Sequence, residues 1–145
     1  MTAPASIAQS PLYLLDTNIV SHMMKDGLGR AAQRGYELAQ THPQARIVTS
    51  IIVQCELLFG LRKYPSARMQ QAYAAQMARL LVLPFDTAAA EAYARLRATL
   101  EHQGTPMGAN DLLIAAQALA IGATVVSADA AFARVPGLQV SNWLA

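Results

Sequence analysis

A chain of 145 residues with 54% hydrophobic and 14% charged side chains is about one domain, with ample material for a core, which excludes whole-chain disorder. The net charge of +2 says little by itself, but nine of the eleven basic residues are Arg, the side chain suited to forked phosphate contacts. Cys55 is the single cysteine, so an internal disulfide and a cysteine-based zinc site are excluded, and a reducing compartment is expected.

The first eleven residues, MTAPASIAQSP, lack a basic start and an apolar core segment. They read as a loose tail at 1–11, followed by a single domain at 12–145. Pro11 to Leu15 is a short apolar run that ends at Asp16 and reads as a buried strand. A helix is expected from Asn18 to Met24, then a glycine-punctuated break, then a second helix from Arg30 to Gln40. Arg46 to Thr49 is the next strand. Ser50 can cap a helix from Ile51 to Arg62, and Ser66 another that runs to about Leu80. Leu81 to Pro84 reads as a short strand. Asp86 or Thr87 opens a long helix to about His102, closed by Gly104. Gly108 to Ile121 is a helix, apolar nearly all round between Leu112 and Leu119 and so expected to be buried. Ala123 to Ser127 is a strand, Ala130 to Arg134 a short helical piece, and Leu138 to Val140 the last strand. This alternation calls for an α/β fold with a parallel sheet and helices on both faces.

The longest apolar stretch, Leu112 to Val126, is broken by Gln117 and Gly122 and falls short of the roughly twenty residues that cross a bilayer. A soluble, cytoplasmic protein is expected. Cys55, flanked by Ile52, Val53, Leu57 and Leu58, is expected to be a core residue rather than a nucleophile. Tyr36, Tyr64, Tyr73 and Tyr93 are expected to pack. His22, His42 and His102 are scattered and show no ligand spacing.

Ligands of open parallel sheets bind beyond the carboxyl ends of the strands. Asp16 ends the first strand, Glu56 lies on the second turn of the helix after the second, and Asp129 follows the fourth. Asp111 stands near the start of a helix that can point to the same edge. Each has a plainer reading: Asp16, Asp111 and Asp129 as turn or capping residues, Glu56 as a solvated side chain. Together, four carboxylates at one edge repel one another unless a cation intervenes. Mg²⁺ and Mn²⁺ favour such oxygen donors and can activate water for attack on a phosphodiester.

Four motifs bear a likeness to a known family. Leu14-Leu15-Asp16-Thr17-Asn18 is the first and Glu56-Leu57-Leu58-Phe59-Gly60 the second. Gly108-Ala109-Asn110-Asp111-Leu112-Leu113-Ile114-Ala115-Ala116 is the third. Val126-Ser127-Ala128-Asp129-Ala130-Ala131-Phe132, with Val135-Pro136-Gly137-Leu138 and Trp143 beyond it, is the fourth. In order and spacing, from about Leu12 to Trp143, the chain resembles the PIN-domain family and, within it, the VapC-type toxins. The resemblance implies a three-layer α/β/α domain with a central parallel sheet of four to five strands. It also implies a Mg²⁺-dependent endoribonuclease, with Mn²⁺ able to substitute, that cleaves transfer or ribosomal RNA as the toxin of a type II toxin–antitoxin pair. Asp16, Glu56, Asp111 and Asp129 would be the catalytic, metal-holding acids, with Asp16 and Asp111 the principal ligands. Thr17 or Asn18 and Ser127 would orient them. The implied partners are an RNA substrate, a cognate antitoxin whose C-terminal segment covers the groove, and a second copy in a homodimer, or a heterotetramer or larger assembly with antitoxin. Ser127 stands where Thr is usual, Ala128-Asp129 where Asn-Asn is common, and Met107 where Ile is common.

Other classes fit less well. A haloacid-dehalogenase-type phosphatase wants a second Asp where Asn18 stands, and a receiver-type phosphoacceptor needs a late Lys, whereas the lysines are Lys25 and Lys63. A non-catalytic binding module of the same fold would have lost acids that are all present here. A housekeeping PIN nuclease acting on RNA or DNA is the remaining alternative. Lys25, Arg30, Arg34, Arg62, Lys63 and Arg68 can contact phosphates, although solvated surface charge is the default reading for each.

Overall fold

The computed structural model describes residues 10–145; all but the last two residues of the expected N-terminal tail lie outside them. Leu12–Leu15 forms β1, whose Leu14 and Leu15 are fully buried, as a strand covered on both faces requires. Arg46–Ser50 (β2), Leu81–Leu83 (β3), Thr124–Val126 (β4) and Val140–Ser141 (β5) complete one sheet in the order β3-β2-β1-β4-β5. Every pairing is parallel, with Leu14 opposite Val48 on one side and Val125 on the other.

Among the described residues, six α-helices connect the strands: α1 (Thr17–Lys25), α2 (Arg30–Thr41), α3 (Ile51–Lys63), α4 (Ala67–Met77), α5 (Thr87–His102) and α6 (Ala109–Ile121). The chain steps outward from β1 to β2 to β3, then returns past β1 to β4. Because such crossovers are right-handed, this reversal carries α5 and α6 to the face opposite the earlier helices. It also makes the carboxyl ends of β1 and β4 a switch point, where an open α/β sheet leaves a crevice.

The helix starts follow the expected chemistry. Ser50 Oγ accepts from Ile52 N–H at 3.0 Å, Ser66 Oγ from Met69 N–H at 3.2 Å, and Asp86 Oδ1 from Ala89 N–H at 3.0 Å. Gly122, at φ +68°, takes the left-handed turn that ends α6. In α6, Leu112 and the run Ile114 to Ala118 are buried, as its apolar composition predicts. The 3₁₀ turn Ala130–Arg134 buries Phe132 completely, fixing the segment after β4 against the core.

Some expectations are corrected. Cys55 is exposed, not core. The helix α3 turns Val53, Leu57 and Leu61 inward at four-residue spacing, and this leaves Cys55, Leu58 and Phe59 on its outer face. Tyr36 and Tyr64 are exposed rather than packed, whereas half-buried Tyr73 accepts a hydrogen bond from Gln54. The helix α4 stops at Met77 rather than near Leu80. The last strand is Val140–Ser141, later than Leu138 to Val140, because Leu138 still belongs to a turn bonded to Val135 O.

Truncating Phe132 should be among the most damaging single changes in the fold. Phe132→Ala is expected to cost about 3–5 kcal/mol, the range for emptying a buried aromatic site, and urea denaturation monitored by circular dichroism checks this.

Candidate active site

Asp16 closes β1 and occupies the first flanking position of α1, yet its side chain caps nothing there. Its carboxylate is instead 3% exposed and held by side chains from elsewhere. Ser127 Oγ, beyond β4, donates to Asp16 Oδ2 at 2.7 Å, and Asn18 Nδ2 donates to the same oxygen at 3.2 Å. Asn18 Nδ2 also lies 3.2 Å from Ser127 Oγ, and Asn18 Oδ1 accepts from Ala128 N–H at 3.1 Å. Backbone pairing reinforces the join, with Asp16 N–H donating to Val126 O at 2.9 Å. Asn18 and Ser127 thus lock the end of β1 to the end of β4 at the switch point.

Glu56 comes to this edge from α3 and is half-buried. Thr17 Oγ1 donates to its Oε1 at 2.8 Å, so of two consecutive residues one is an acid of the site and the next holds another. Asp111 lies in the first turn of α6, where Gly108, not Asp111, is the flanking residue. Asp129 accepts from Ala131 N–H at 2.9 Å through Oδ1, so its capping reading holds. It also comes close to Asp111 across the crevice, near enough that each carboxyl shifts the other's titration.

The electrostatics follow from this crowding. Burial raises the Asp16 carboxyl above its ordinary range, the Ser127 hydrogen bond opposes that, and the charges of Glu56 and Asp129 add to the rise. Asp111 is pushed up to about 7, first by burial, then by the hydrogen bond to Asp129 and the charges of Asp16, Asp129 and Glu56. Asp129 is held low, chiefly because it accepts Asp111's proton and the Ala131 N–H. The charges of Asp16, Asp129 and Glu56 thus all act on Asp111 at one end of the sheet.

Among the described residues, no three His, Cys, Asp or Glu side chains are gathered tightly enough to hold one ion among themselves. Mg²⁺ takes one or two carboxylates and keeps several waters, and the donor chemistry here, carboxylate with no imidazole or thiolate, suits that habit. His22, His42 and His102 form no ligand group with the acids among the described residues, where His22 Nδ1 is buried without a hydrogen-bond partner, its ring beside Gly29 just before α2.

A cleft of about 310 Å³ adjoins Glu56, lined by Thr17, Ser21, Met24, Glu56, Leu61 and Met69 among others. Its floor is apolar and it lies between α1, α3 and α4.

One structural residue was underrated in the sequence. Gln117, noted there only as a break in an apolar run, is 1% exposed and bonded to the carboxyl ends of two strands. Its signal was its position: a polar side chain in the middle of a helix that is apolar on every side must find partners inside.

The PIN-domain family profile matches residues 13–138. "Ribonuclease VapC1" of Haemophilus influenzae is 33% identical over 136 residues, covering 91% of this chain and 98% of that protein. "tRNA(fMet)-specific endonuclease VapC" of Salmonella typhimurium is 32% identical, covering 90% and 97%. Among solved structures, VapBC2 from Rickettsia felis, bound to a DNA fragment from its promoter, superposes with a TM-score of 0.83 at 32% identity, covering 91% of this chain and 98% of that one. The sheet order, the switch-point acids and these likenesses agree: the chain belongs to the PIN-domain family and, within it, to the VapC ribonucleases.

Proposed function

We propose that this chain is the endoribonuclease toxin of a type II toxin–antitoxin pair, acting in the cytoplasm on structured RNA through Asp16, Glu56, Asp111 and Asp129 with Mg²⁺ or Mn²⁺. The observation that carries this reading is the buried Asp16 carboxylate at the β1/β4 switch point, held by Ser127 and Asn18, with Thr17 bonded to Glu56 and with Asp111 raised by burial and by the charges of Asp16, Asp129 and Glu56. Such a cluster is costly unless a cation neutralises it. Relatives named as ribonuclease and tRNA-specific endonuclease support the substrate class, and solved relatives described as VapBC complexes support an antitoxin partner. The apolar cleft beside Glu56 is where an antitoxin segment would reach the site.

In this reading Asp16 and Asp111 hold the ion, and Glu56 and Asp129 take part through direct or water-mediated contact. A bound divalent ion would polarise a phosphate oxygen and lower the pKa of an attacking water. Ser127 and Asn18 keep the Asp16 carboxylate in one orientation, and Thr17 does the same for Glu56. Asp111, whose carboxyl is pushed up to about 7, would act as a ligand once it has lost its proton.

Purified protein is expected to cleave RNA with Mg²⁺ or Mn²⁺ and to stop when EDTA is added. Asp16→Asn and Asp111→Asn should each reduce cleavage to background in a gel assay while the circular dichroism spectrum stays native. Ser127→Ala removes the hydroxyl that orients Asp16 and should cost about 10–100-fold in metal affinity or activity. Full activity in Asp111→Asn would refute the site assignment.

The pH dependence has a definite sign. A carboxyl raised from 3.8 to about 7 by folding makes the native state bind more protons than the unfolded chain, so this group destabilises the metal-free protein progressively as pH rises through that window. Asp16 is shifted in the same direction, while Asp129, held low, exerts its opposite effect at lower pH. The rise in Tm produced by Mn²⁺ should therefore be larger at pH 8 than at pH 5, as read by differential scanning fluorimetry. An equal or larger shift at pH 5 would contradict it.

Expression of the chain alone should arrest growth, and co-expression of the neighbouring antitoxin gene should relieve the arrest. Harmless accumulation of folded, RNA-cleaving protein would favour the housekeeping nuclease instead.

A further inference from the structure

We propose that Gln117 is a positioning residue for the metal site, coupling the helix that carries Asp111 to the helix that carries Glu56. The inference rests on the metal-dependent reading given above.

Between its ends, α6 is buried through Ile114, Ala115, Ala116, Gln117 and Ala118. Apolar burial is non-directional, so small side chains leave the helix's rotation and axial register weakly specified. Moving a helix by one residue shifts it about 1.5 Å along its axis and rotates its face, enough to displace Asp111 from Asp129. Gln117 supplies what apolar contact lacks. Its Oε1 accepts from Ser50 Oγ, and its Nε2 donates to Leu83 O at 3.2 Å and Pro84 O at 3.0 Å. Among the described residues, no other side chain of α6 makes a hydrogen bond to a neighbouring element.

Its partners matter as much as the bonds. Ser50 ends β2 and caps α3, accepting from Ile52 N–H at 3.0 Å. Glu56 follows six residues later on that helix. One hydroxyl therefore sets where α3 begins and where α6 sits. Leu83 and Pro84 lie where the chain leaves β3, so the same amide also pins the carboxyl edge of the sheet beside β2. Asp111 and Glu56 are placed relative to each other through Gln117 and Ser50, without either touching the ion or the RNA.

The test is Mn²⁺ binding without RNA, titrated by electron paramagnetic resonance of free Mn²⁺ at a temperature where every variant is folded. Gln117→Leu removes all three bonds, and Ser50→Ala breaks the link from the other end. Two controls match them for stability alone: Ser66→Ala removes an equivalent cap from α4, which carries none of the four acids, and Leu100→Ala opens a buried site on α5. Gln117→Leu and Ser50→Ala are expected to weaken Mn²⁺ binding by about tenfold, the double variant no further than the weaker-binding single. Both controls should bind as the wild type does. If Gln117→Leu does not fold, Ser50→Ala against Ser66→Ala decides the matter alone. Equal Mn²⁺ affinity in the wild type and the linked variants, or an equal loss in the controls, overturns the positioning role and leaves the nuclease reading intact. Failure of the wild type to bind Mn²⁺ overturns the metal reading and this inference with it.

Discussion

The structure turns on the burial of one carboxylate. Asp16 sits at 3% exposure where β1 meets β4, and an ionised acid is tolerated there only if other groups replace its water. Ser127 and Asn18 do so. These bonds have a second consequence, because Ser127 follows β4 while Asn18 opens α1. Satisfying Asp16 thus joins segments more than a hundred residues apart in sequence, at the one place where the strand order reverses. The crevice that the topology provides is held open and shaped by the requirement to keep that acid hydrogen-bonded.

Around this point the other acids are placed by different means. Thr17, next to Asp16, reaches Glu56 on α3, so the turn between β1 and α1 orients two acids at once. Asp129 caps the 3₁₀ turn and meets Asp111 as well; a carboxylate accepts several hydrogen bonds, so the two roles are compatible. That answers the plainer reading of Asp129 as a cap: it is one, and the cap fixes the carboxylate against Asp111. The charge of Asp129 enters a crowded crevice and, after burial, adds to the rise of the Asp111 carboxyl.

The local motifs were legible in the sequence because each is a strand end or helix start with a polar residue at the boundary. Asp16 after an apolar strand, Ser50 before an apolar helix and Gly122 after another all carry their reason in adjacent residues. What escaped was orientation. The helix α3 has apolar side chains on both faces, and periodicity does not say which stripe turns inward. Val53, Leu57 and Leu61 do, which leaves Cys55, Leu58 and Phe59 outside. Tyr36 and Tyr64 were misjudged for the same reason, since an amphipathic aromatic fits either side of a boundary. The last strand was misplaced because it is only two residues long at a sheet edge, where neither face is well buried.

Gln117 shows the same limit from the other side. The sequence makes α6 a buried helix without difficulty, since almost every residue from Leu112 to Leu119 is apolar. Composition of that kind specifies that the helix is inside but not where it stops turning. The helices α5 and α6 pack closely, and both bury alanines, Ala89 and Ala92 on one and Ala115, Ala116 and Ala118 on the other; small contacts of this kind tolerate sliding. A nuclease needs its acids held to a fraction of an ångström, which is finer than such packing provides. Directional bonds must supply the difference, and they are found where the demand is greatest: Ser127 and Asn18 on Asp16, Thr17 on Glu56, and Gln117 on the two strand ends behind them.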